Sequence, residues 1–285
     1  MIIEKNKLYL VTGASGFLGV HLSERILQLG GRVRAFCRNE GKLITLKQKY
    51  PSVEIYTGDV SDPFEVRQAM DGVDAVFHLA ASKHVGLAET FTRECTKTNV
   101  IGSLNILEES LTKKYNFVIG ISTDKAAQVS GVYGATKLLM ERLFAQYERL
   151  NKNTEYRIVR YGNVLYSTGS VLCKWKDLLT EGKQVIITDP SATRFFWTRE
   201  QAVDLIFSCL EQSDSSAPWV PEMKAMSMGD LLTAMGKKYL PDGTKLNVKT
   251  IGLQSGENLH EKIMENGPSS NEVEKFTIEE IMELI

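Results

Sequence analysis

Short apolar segments alternate with longer segments of helical periodicity through the first half of the chain. Largely apolar runs, which are typical of strands buried on both faces of a sheet, lie at residues 8–11, 31–38, 53–60, 75–81 and 117–121. Helical periodicity is found at residues 20–29, 95–113 and 133–151. Strands and helices that alternate in this way form a doubly wound parallel sheet, so we predict an α/β fold of the Rossmann type.

The pattern becomes less regular after a further predicted strand at residues 156–165. We therefore expect residues 1–165 to form the Rossmann core. Residues 166–285 would form mainly a smaller C-terminal substrate-binding lobe, with some segments returning to the core. The apolar positions within residues 276–285 recur at helical spacing and predict an amphipathic last helix that packs on the domain.

A glycine-rich turn follows the first predicted strand directly and leads into a helix. Its sequence is Thr12-Gly13-Ala14-Ser15-Gly16-Phe17-Leu18-Gly19. Gly13 permits the tight turn, Gly16 lets the backbone approach a pyrophosphate, and Gly19 allows the helix to pack closely on the strand. We predict a dinucleotide cofactor here, with Ser15 and Phe17 also in contact with it. The alternative is a purely structural turn.

The end of the second strand indicates which nicotinamide cofactor fits. An NAD site usually has an acidic residue there to accept the ribose 2'-hydroxyl, but this chain has Cys37-Arg38-Asn39-Glu40. Arg38 can pair with a 2'-phosphate or stack on adenine, which favours NADP over NAD. Glu40 keeps NAD open, and Arg38 could also be a solvated loop cation.

Residues at the ends of the third and fourth strands are candidates for further cofactor contacts. Asp59, followed by Val60, could accept a hydrogen bond from the adenine amino group, or could instead cap the helix that begins near residues 62–63. The small Ala80 and Ala81 leave room for the cofactor. His78 lies within the apolar run, so we interpret it as a core histidine and not as a catalyst.

The fifth strand ends in Ser122-Thr123-Asp124-Lys125, at the edge of the sheet where open α/β folds bind their ligands. Tyr133 and Lys137 lie one turn apart on the following helix and share a face. A neighbouring ammonium favours the phenolate, so this pair predicts a base. A surface ion pair is the alternative for Asp124 and Lys125.

Several polar residues could hold an anionic substrate that bears a nucleotide. Lys83 lies in the predicted polar loop 82–89, where substrate could enter, and Asn163 follows the sixth strand. Arg194 lies within Thr193-Arg194-Phe195-Phe196-Trp197, whose aromatic groups would exclude water and strengthen a phosphate contact. It could instead be a structural cation stacked on those rings. Lys174 and Lys176 are weaker candidates.

Composition narrows the possible classes of protein. The 285 residues are 43% hydrophobic and carry a formal net charge of -1, with an isoelectric point near 6.5, so no basic field for nucleic acid is expected. The four scattered cysteines, Cys37, Cys95, Cys173 and Cys209, predict neither a metal site nor disulfides. No apolar leader or long apolar segment is present, so we expect a cytoplasmic protein that does not enter the membrane.

Several motifs together resemble the extended short-chain dehydrogenase/reductase superfamily, and within it the UDP-N-acetylglucosamine 4,6-dehydratases, including the inverting enzymes of pseudaminic acid biosynthesis. The resemblance covers most of the chain. Besides the glycine turn, the motifs are Ala80-Ala81-Ser82-Lys83-His84-Val85, Glu94-Cys95-Thr96-Lys97-Thr98-Asn99, Ser122-Thr123-Asp124-Lys125-Ala126-Ala127, Tyr133-Gly134-Ala135-Thr136-Lys137, Arg160-Tyr161-Gly162-Asn163-Val164 and Thr193-Arg194-Phe195.

This resemblance implies an NADP-dependent 4,6-dehydration of UDP-N-acetylglucosamine, with C5 inversion favoured. Tyr133, supported by Lys137, would take the O4 proton as C4 is oxidised. Lys125, if neutral, would remove the C5 proton, and a protonated Asp124 would donate to the departing C6 hydroxyl. Thr123 would hydrogen-bond the sugar.

The resemblance also implies further contacts and an assembly. Asn99 would act at the cofactor site, where it could bridge a water to the active-site lysine, although it could equally be a surface residue. Glu257 would contact the substrate. The helices predicted at 95–113 and 133–151 would pair in a homodimer or a larger homo-oligomer.

The chain departs from the family pattern in two ways. In residues 251–261, Gln254 and Asn258 stand where the family usually has arginine and lysine, which could remove or move a phosphate contact, and the following C-terminal region is short.

Two alternative functions are considered. One alternative is a nucleotide-sugar 4-epimerase or reductase, which needs no elimination pair. The other is a non-catalytic NADP-sensing protein, which would be expected to have lost the Tyr133 and Lys137 pair.

Overall fold

A seven-stranded, fully parallel sheet forms the centre of the computed structural model, which describes residues 2–254 and 256–285. Its strands are β1 (Leu8–Thr12), β2 (Arg32–Cys37), β3 (Glu54–Thr57), β4 (Ala75–His78), β5 (Phe117–Thr123), β6 (Glu155–Tyr161) and β10 (Pro218–Trp219). Their spatial order is β3-β2-β1-β4-β5-β6-β10. The order reverses next to β1, as in dinucleotide-binding folds, and this confirms the predicted fold class.

Eleven α-helices lie within the described residues. They are α1 (Phe17–Gln28), α2 (Glu40–Lys49), α3 (Pro63–Met70), α4 (Val85–Thr90), α5 (Thr92–Thr96), α6 (Gly102–Glu109), α7 (Val132–Leu150), α8 (Val171–Thr180), α9 (Arg199–Gln212), α10 (Met228–Tyr239) and α11 (Ile278–Leu284). A 3-10 turn spans Asp124–Ala126, and a π-helical turn spans Lys97–Ile101. Among residues 2–254 and 256–285, no helix has the length and apolar character needed to cross a bilayer.

Both faces of the central sheet are covered by helices because its strands are apolar on both sides. Successive residues of a strand point to opposite faces, so Leu10 belongs to one hydrophobic cluster and Val11 to the other. Helices α1, α2 and α9 contribute to the cluster of Val11, and α3, α6 and α7 contribute to that of Leu10. The two clusters hold the strands in the sheet, and the candidate site lies at the carboxyl ends of these strands.

The second lobe has a separate hydrophobic cluster around Trp175 of α8, Met235 of α10 and Ile281 of α11. Its strands are β7 (Asn163–Val164), β8 (Val185–Ile187), β9 (Thr193–Trp197), β11 (Ala225–Ser227) and β12 (Val248–Thr250). They form a three-stranded sheet, in the order β11-β9-β7, and a β12-β8 pair. Helix α9 and strand β10 pack on the central sheet. A domain boundary at residue 165 stays a prediction.

Some element boundaries differ from the sequence prediction. The first helix begins at Phe17 instead of residue 20 because the glycine turn itself starts it. The predicted polar loop 82–89 contains the start of α4, and helical structure continues from α5 through the π-helical turn to the end of α6 at Glu109. The helix predicted at 95–113 therefore begins earlier and ends earlier than its apolar periodicity indicates.

Candidate functional site

The glycine turn is shaped by close backbone approaches at the carboxyl end of β1. Gly13 has φ +65°, and a Cβ there would lie 2.9 Å from the Ala80 nitrogen. A Cβ on Gly19 would lie 2.5 Å from the Gly13 carbonyl oxygen, so α1 can pack on the turn only without that side chain. Gly16 is the N-cap residue of α1, and no side chain among the described residues caps the helix. The free first-turn N–H groups suit a pyrophosphate, so the turn fits a dinucleotide.

The predicted adenosine end of the cofactor site lies where β2 and β3 end. Arg38 has a 65% exposed side chain, and its Nη1 lies 3.5 Å from Asp59 Oδ2. Burial tends to raise the pKa of Asp59, but hydrogen bonds from Ser61 lower it overall. The alternative that Asp59 caps α3 is wrong, since Asp62 accepts the Phe64 and Glu65 N–H groups. An exposed Arg38 is compatible with either nicotinamide cofactor.

Other predicted cofactor contacts surround this region. The Ser15 hydroxyl accepts a hydrogen bond from the Cys37 thiol at 3.0 Å, which places it at the end of β2. Phe17 packs edge-on against His21. Val60 is buried, and its carbonyl accepts from Asn105 of α6.

Two buried polar side chains make hydrogen bonds around the segment that contains Ala80 and Ala81. His78 is buried between the Thr12 and Ser103 hydroxyls at 2.9 and 3.0 Å, and burial lowers its pKa to about 3. This geometry agrees with a core histidine. Asn99 is fully buried and engages both the N–H and the C=O of Ser82, while its Nδ2 also donates to Thr136 of α7. Asn99 is therefore not a surface residue, and it positions the chain that leaves β4.

The end of β5 holds an acid and a base in direct contact. Lys125 Nζ donates to Asp124 Oδ1 at 2.8 Å and lies 3.4 Å from Glu261 Oε1. Thr123 Oγ1 also donates to Asp124 Oδ1, at 2.9 Å. The other oxygen of that carboxylate, Oδ2, is buried and has no hydrogen-bond partner among the described residues. A buried acceptor without a partner suggests that a ligand group completes the site.

The charges around Lys125 make it a cation in the free protein. Burial on its own lowers the pKa of Lys125, but Asp124 and then Glu261 raise it well above its usual value, against a smaller lowering by Arg194. The expectation that desolvation or neighbours make Lys125 neutral is therefore not met in this state. The free protein holds the Lys125 ammonium 2.8 Å from Asp124 Oδ1.

Tyr133 and Lys137 share a face of α7, as predicted, but they do not form the expected electrostatic pair in the free protein. Burial raises the pKa of Tyr133 to about 12, and the groups that oppose this rise are Lys125 and a hydrogen bond with Thr123. Lys137 Nζ instead donates to the Ile121 carbonyl at 2.6 Å, and burial lowers its pKa to about 8. In this state, the cation that favours the Tyr133 phenolate is Lys125.

The predicted substrate residues lie around the same sheet edge. Lys83 is exposed, and partial desolvation lowers its pKa. Arg194 is buried, donates to the carbonyls of Thr193 and Leu259 at 2.9 Å, and lies 3.8 Å from Glu261. Asn163 lies in β7. Glu257 accepts a hydrogen bond from the Gln254 N–H at 3.1 Å, and neighbouring Ser255 lies outside the described residues.

A segment of irregular backbone, residues 256–275, crosses the sheet edge, and we call it the strap. Ser130 donates to its Gly256 carbonyl at 3.0 Å, and Thr193 N–H to its Leu259 carbonyl at 3.1 Å. The cleft that it closes is lined by Val85, Lys125, Ser130, Gly131, Tyr133, Gly134 and Gly256. This cleft has no room for even a water molecule, so a sugar could enter it only if its lining moved.

A buried ion network anchors the strap from below. Arg160 of β6 is fully buried and donates to both carboxylate oxygens of Glu141 at 2.8 and 2.7 Å. The same guanidinium donates to both carboxylate oxygens of the strap residue Glu265 at 3.0 and 2.8 Å and to the Ile263 carbonyl at 3.0 Å. Ser122, two residues before Asp124, donates to Glu141. The strap is thereby connected to the strand that carries Asp124 and Lys125.

Sequence reasoning missed Glu261 as a site residue. It is buried, lies on the strap 136 positions after Lys125, and contacts both Lys125 and Arg194. Its position in the motif 251–261 was visible, but no spacing rule connects it with the turn after β5.

Comparison with known proteins places this site in a family. A family model described as polysaccharide biosynthesis protein matches residues 9–283. The UDP-N-acetylglucosamine 4,6-dehydratase (inverting) of Campylobacter jejuni subsp. jejuni serotype O:2 is 34% identical over 92% of this chain and 79% of its own length. A UDP-glucose 4-epimerase of Rickettsia rickettsii is 32% identical over 95% of this chain and 80% of its own length.

Solved structures have the same fold. The X-ray structure of Pen from Bacillus thuringiensis superposes with a TM-score of 0.87 at 30% identity and covers 93% of this chain and 82% of that one. UDP-glucuronic acid 4-epimerase from Bacillus cereus, in complex with UDP-glucuronic acid and NAD, has a TM-score of 0.80 at 19% identity and covers 97% of each chain. Since the family model spans nearly the whole sequence, the chain belongs to the polysaccharide biosynthesis protein family, within the extended short-chain dehydrogenase/reductase superfamily that its motifs resemble.

Proposed function

We propose that this chain catalyses the NADP-dependent 4,6-dehydration of UDP-N-acetylglucosamine, giving a 4-keto-6-deoxy sugar nucleotide. The observation that carries the proposal is the buried contact between Asp124 and Lys125, 2.8 Å apart at the end of β5. Elimination of water needs an acid and a base on adjacent carbon atoms, and this turn supplies both. The dehydratase relative supports the same reaction class.

The glycine turn, Arg38 and Lys137 would hold the cofactor, which when bound would supply a hydride acceptor for the oxidation at C4 and a hydride donor for the reduction at C6. Tyr133 would accept the O4 proton during that oxidation. Lys125 would then remove the C5 proton that the ketone has made acidic. Asp124 would protonate the leaving C6 hydroxyl, which would depart as water and leave a C5=C6 double bond, and hydride addition at C6 with a proton delivered to C5 would then give the 4-keto-6-deoxy product.

The charges of the free protein define the proton transfer that must precede elimination. Lys125 is an ammonium hydrogen-bonded to the Asp124 carboxylate. Movement of one proton from Nζ to the Asp124 carboxylate, which it contacts at 2.8 Å, gives a neutral amine and a neutral acid without changing the net charge, and the proton must reside on Oδ2 when the hydroxyl leaves. The unpartnered Oδ2 of Asp124 is the atom that we assign to the C6 hydroxyl.

Finer features of the reaction are part of the same proposal. We favour NADP because Arg38 offers a cation to a 2'-phosphate, and C5 inversion because a lysine serves as the base. Lys83, Asn163, Arg194 and Glu257 would contact the substrate once the strap opens. A homodimer or larger assembly through α6 and α7, and a cytoplasmic location, complete this account.

The second candidate function is a 4-epimerase or reductase of a nucleotide sugar, which the epimerase relative favours. Those reactions transfer hydrogen at C4 but eliminate no water, so they give Asp124 and Lys125 no task. A non-catalytic NADP sensor is the third candidate, and the retained Tyr133 and Lys137 pair argues against it.

Incubation with UDP-N-acetylglucosamine separates the three functions. A 4-keto product that absorbs in alkali supports dehydration, a C4 epimer supports the epimerase, and NADP binding without turnover supports the sensor. The matched variants are Asp124→Asn and Lys125→Met, which keep the shape of the turn and remove its acid or its base. If both variants form the keto product as fast as the unmodified protein, the assigned acid and base are wrong.

A further inference from the structure

Glu261 lies on the side of Lys125 that faces the strap, and the acid and base roles assigned above leave it without a task. Its side chain is 2% exposed, and its Oε1 lies 3.4 Å from Lys125 Nζ and 3.8 Å from Arg194 Nε. The Asn258 amide donates to its other oxygen at 3.4 Å. A buried carboxylate is costly unless cations surround it, so this placement indicates a specific role.

The backbone holds Glu261 in place independently of its side chain. The Glu261 N–H donates to the Ser270 hydroxyl at 2.9 Å, and the Ser270 N–H donates to the Glu261 carbonyl at 2.8 Å. Ser270 in turn contacts Thr193 of β9. The carboxylate is therefore not needed to fix this part of the strap, and its neutral amide should occupy the same position.

Lys125 is surrounded by four ionisable groups. Asp124 precedes it on the same turn, Glu261 approaches from the strap, Arg194 from β9 and Tyr133 from α7. The two carboxylates favour the ammonium, and Arg194 opposes it. Since Asp124 must serve as the acid, Glu261 is the carboxylate that can regulate Lys125 without itself reacting.

We propose that Glu261 is a positioning residue that holds the Lys125 ammonium beside Asp124 and sets the pH at which Lys125 becomes able to remove the C5 proton. This inference rests on the proposed dehydration. Glu261 belongs to the strap, so a strap that opens to admit substrate also withdraws this charge from Lys125. Closure of the strap therefore raises the pKa of Lys125, and opening of the strap lowers it.

The test isolates the proton transfer from the oxidation step. The 4-keto product is made with the unmodified protein, purified and returned to enzyme in deuterated water. Lys125 then takes the C5 proton, the electron pair moves to the C4 carbonyl oxygen as an enolate, and a deuteron returns to C5. The exchange rate, corrected for the reaction without enzyme, is measured by NMR across a pH series, and its midpoint reports the apparent pKa of Lys125 in its pair with Asp124.

Glu261→Gln is expected to lower this midpoint. Burial raises the pKa of Glu261 against the lowering effect of Lys125, and over the pH range in which Glu261 is ionised its charge favours the ammonium, so its loss lowers the pKa of Lys125 by about one to three units. Glu261→Asp, which keeps the charge, should give a midpoint closer to that of the unmodified protein. The matched control is Glu265→Gln, which changes a strap carboxylate bound to Arg160, and its midpoint should not move even if its rate falls.

The outcomes distinguish the inference from the proposed function. If the unmodified protein makes no 4-keto product, the proposed function fails. If it makes the product and exchanges C5, but Glu261→Gln has an unchanged or higher midpoint, the inference alone is overturned. Should Glu261→Gln fail to fold, Asn258→Lys supplies a cation to the second oxygen of Glu261, and it must also lower the midpoint, since an unchanged value contradicts the inference.

Discussion

Replacing Arg160 with methionine should strongly destabilise the protein. The substitution removes six hydrogen bonds, one of them to the Met264 sulfur, and leaves Glu141, whose side chain is 5% exposed, as a buried carboxylate without its ion-pair partner. Breaking a buried ion pair from one side costs about 3–5 kcal/mol. The second partner, Glu265, is 44% exposed, so its lost contact adds at most about 1 kcal/mol. The total is a large part of a typical stability of about 5–15 kcal/mol.

The double variant Arg160→Met with Glu141→Leu tests the reason for this cost. It removes both buried charges, so it should recover most of the loss and lie within about 1–2 kcal/mol of the unmodified protein, since apolar replacements of buried pairs are often neutral. Urea unfolding followed by circular dichroism gives the free energies for both variants. The reasoning is refuted if Arg160→Met costs less than about 1 kcal/mol, or if the double variant is as unstable as the single one.

Three further predictions address the cofactor site and a buried lysine. Gly13→Ala should abolish dinucleotide binding in a titration followed by nucleotide fluorescence, since a Cβ there meets Ala80 at 2.9 Å and φ is +65°. Gly72→Ala, also at positive φ but with open space around it, is the control that should still bind. Arg38→Ala should weaken NADP more than about tenfold and NAD little, and equal losses for both would contradict the 2'-phosphate contact. Burial lowers the pKa of Lys137 from 10.5 to about 8, so between these values only the unfolded state binds this proton and stability should rise with pH. The difference in unfolding free energy between the unmodified protein and Lys137→Met should show that rise, and a flat difference would contradict it.

The sequence was most informative where physical constraints are local. Strands buried on both faces produce nearly continuous apolar runs, and the close approach of α1 to β1 requires Gly19, so the central sheet and its glycine turn were predicted correctly. The same logic placed Asp124 and Lys125 at the carboxyl edge of β5. Short-range spacing is enough for such features because each depends on one strand and its next turn.

Features that depend on distant contacts were not predictable in this way. Helix α4 lies in a polar stretch, and its Glu89 accepts the N–H of Val132, the first residue of α7. The helix propensity of the residues in α4 does not predict a helix that is stabilised by a tertiary contact. The electrostatic environment of Lys125 depends on Glu261, which is far away in sequence, so the positive charge of Lys125 emerged only from the fold.

The central claim is that this protein oxidises C4 of a sugar and then removes water across C5 and C6. Its most direct test is NMR of the product formed from UDP-N-acetylglucosamine in deuterated water. The account predicts a C6 methyl group, a ketone at C4 and deuterium at C5, with deuterium incorporation at C5 lost in Lys125→Met. A product that retains its C6 hydroxyl and differs only at C4 would contradict it.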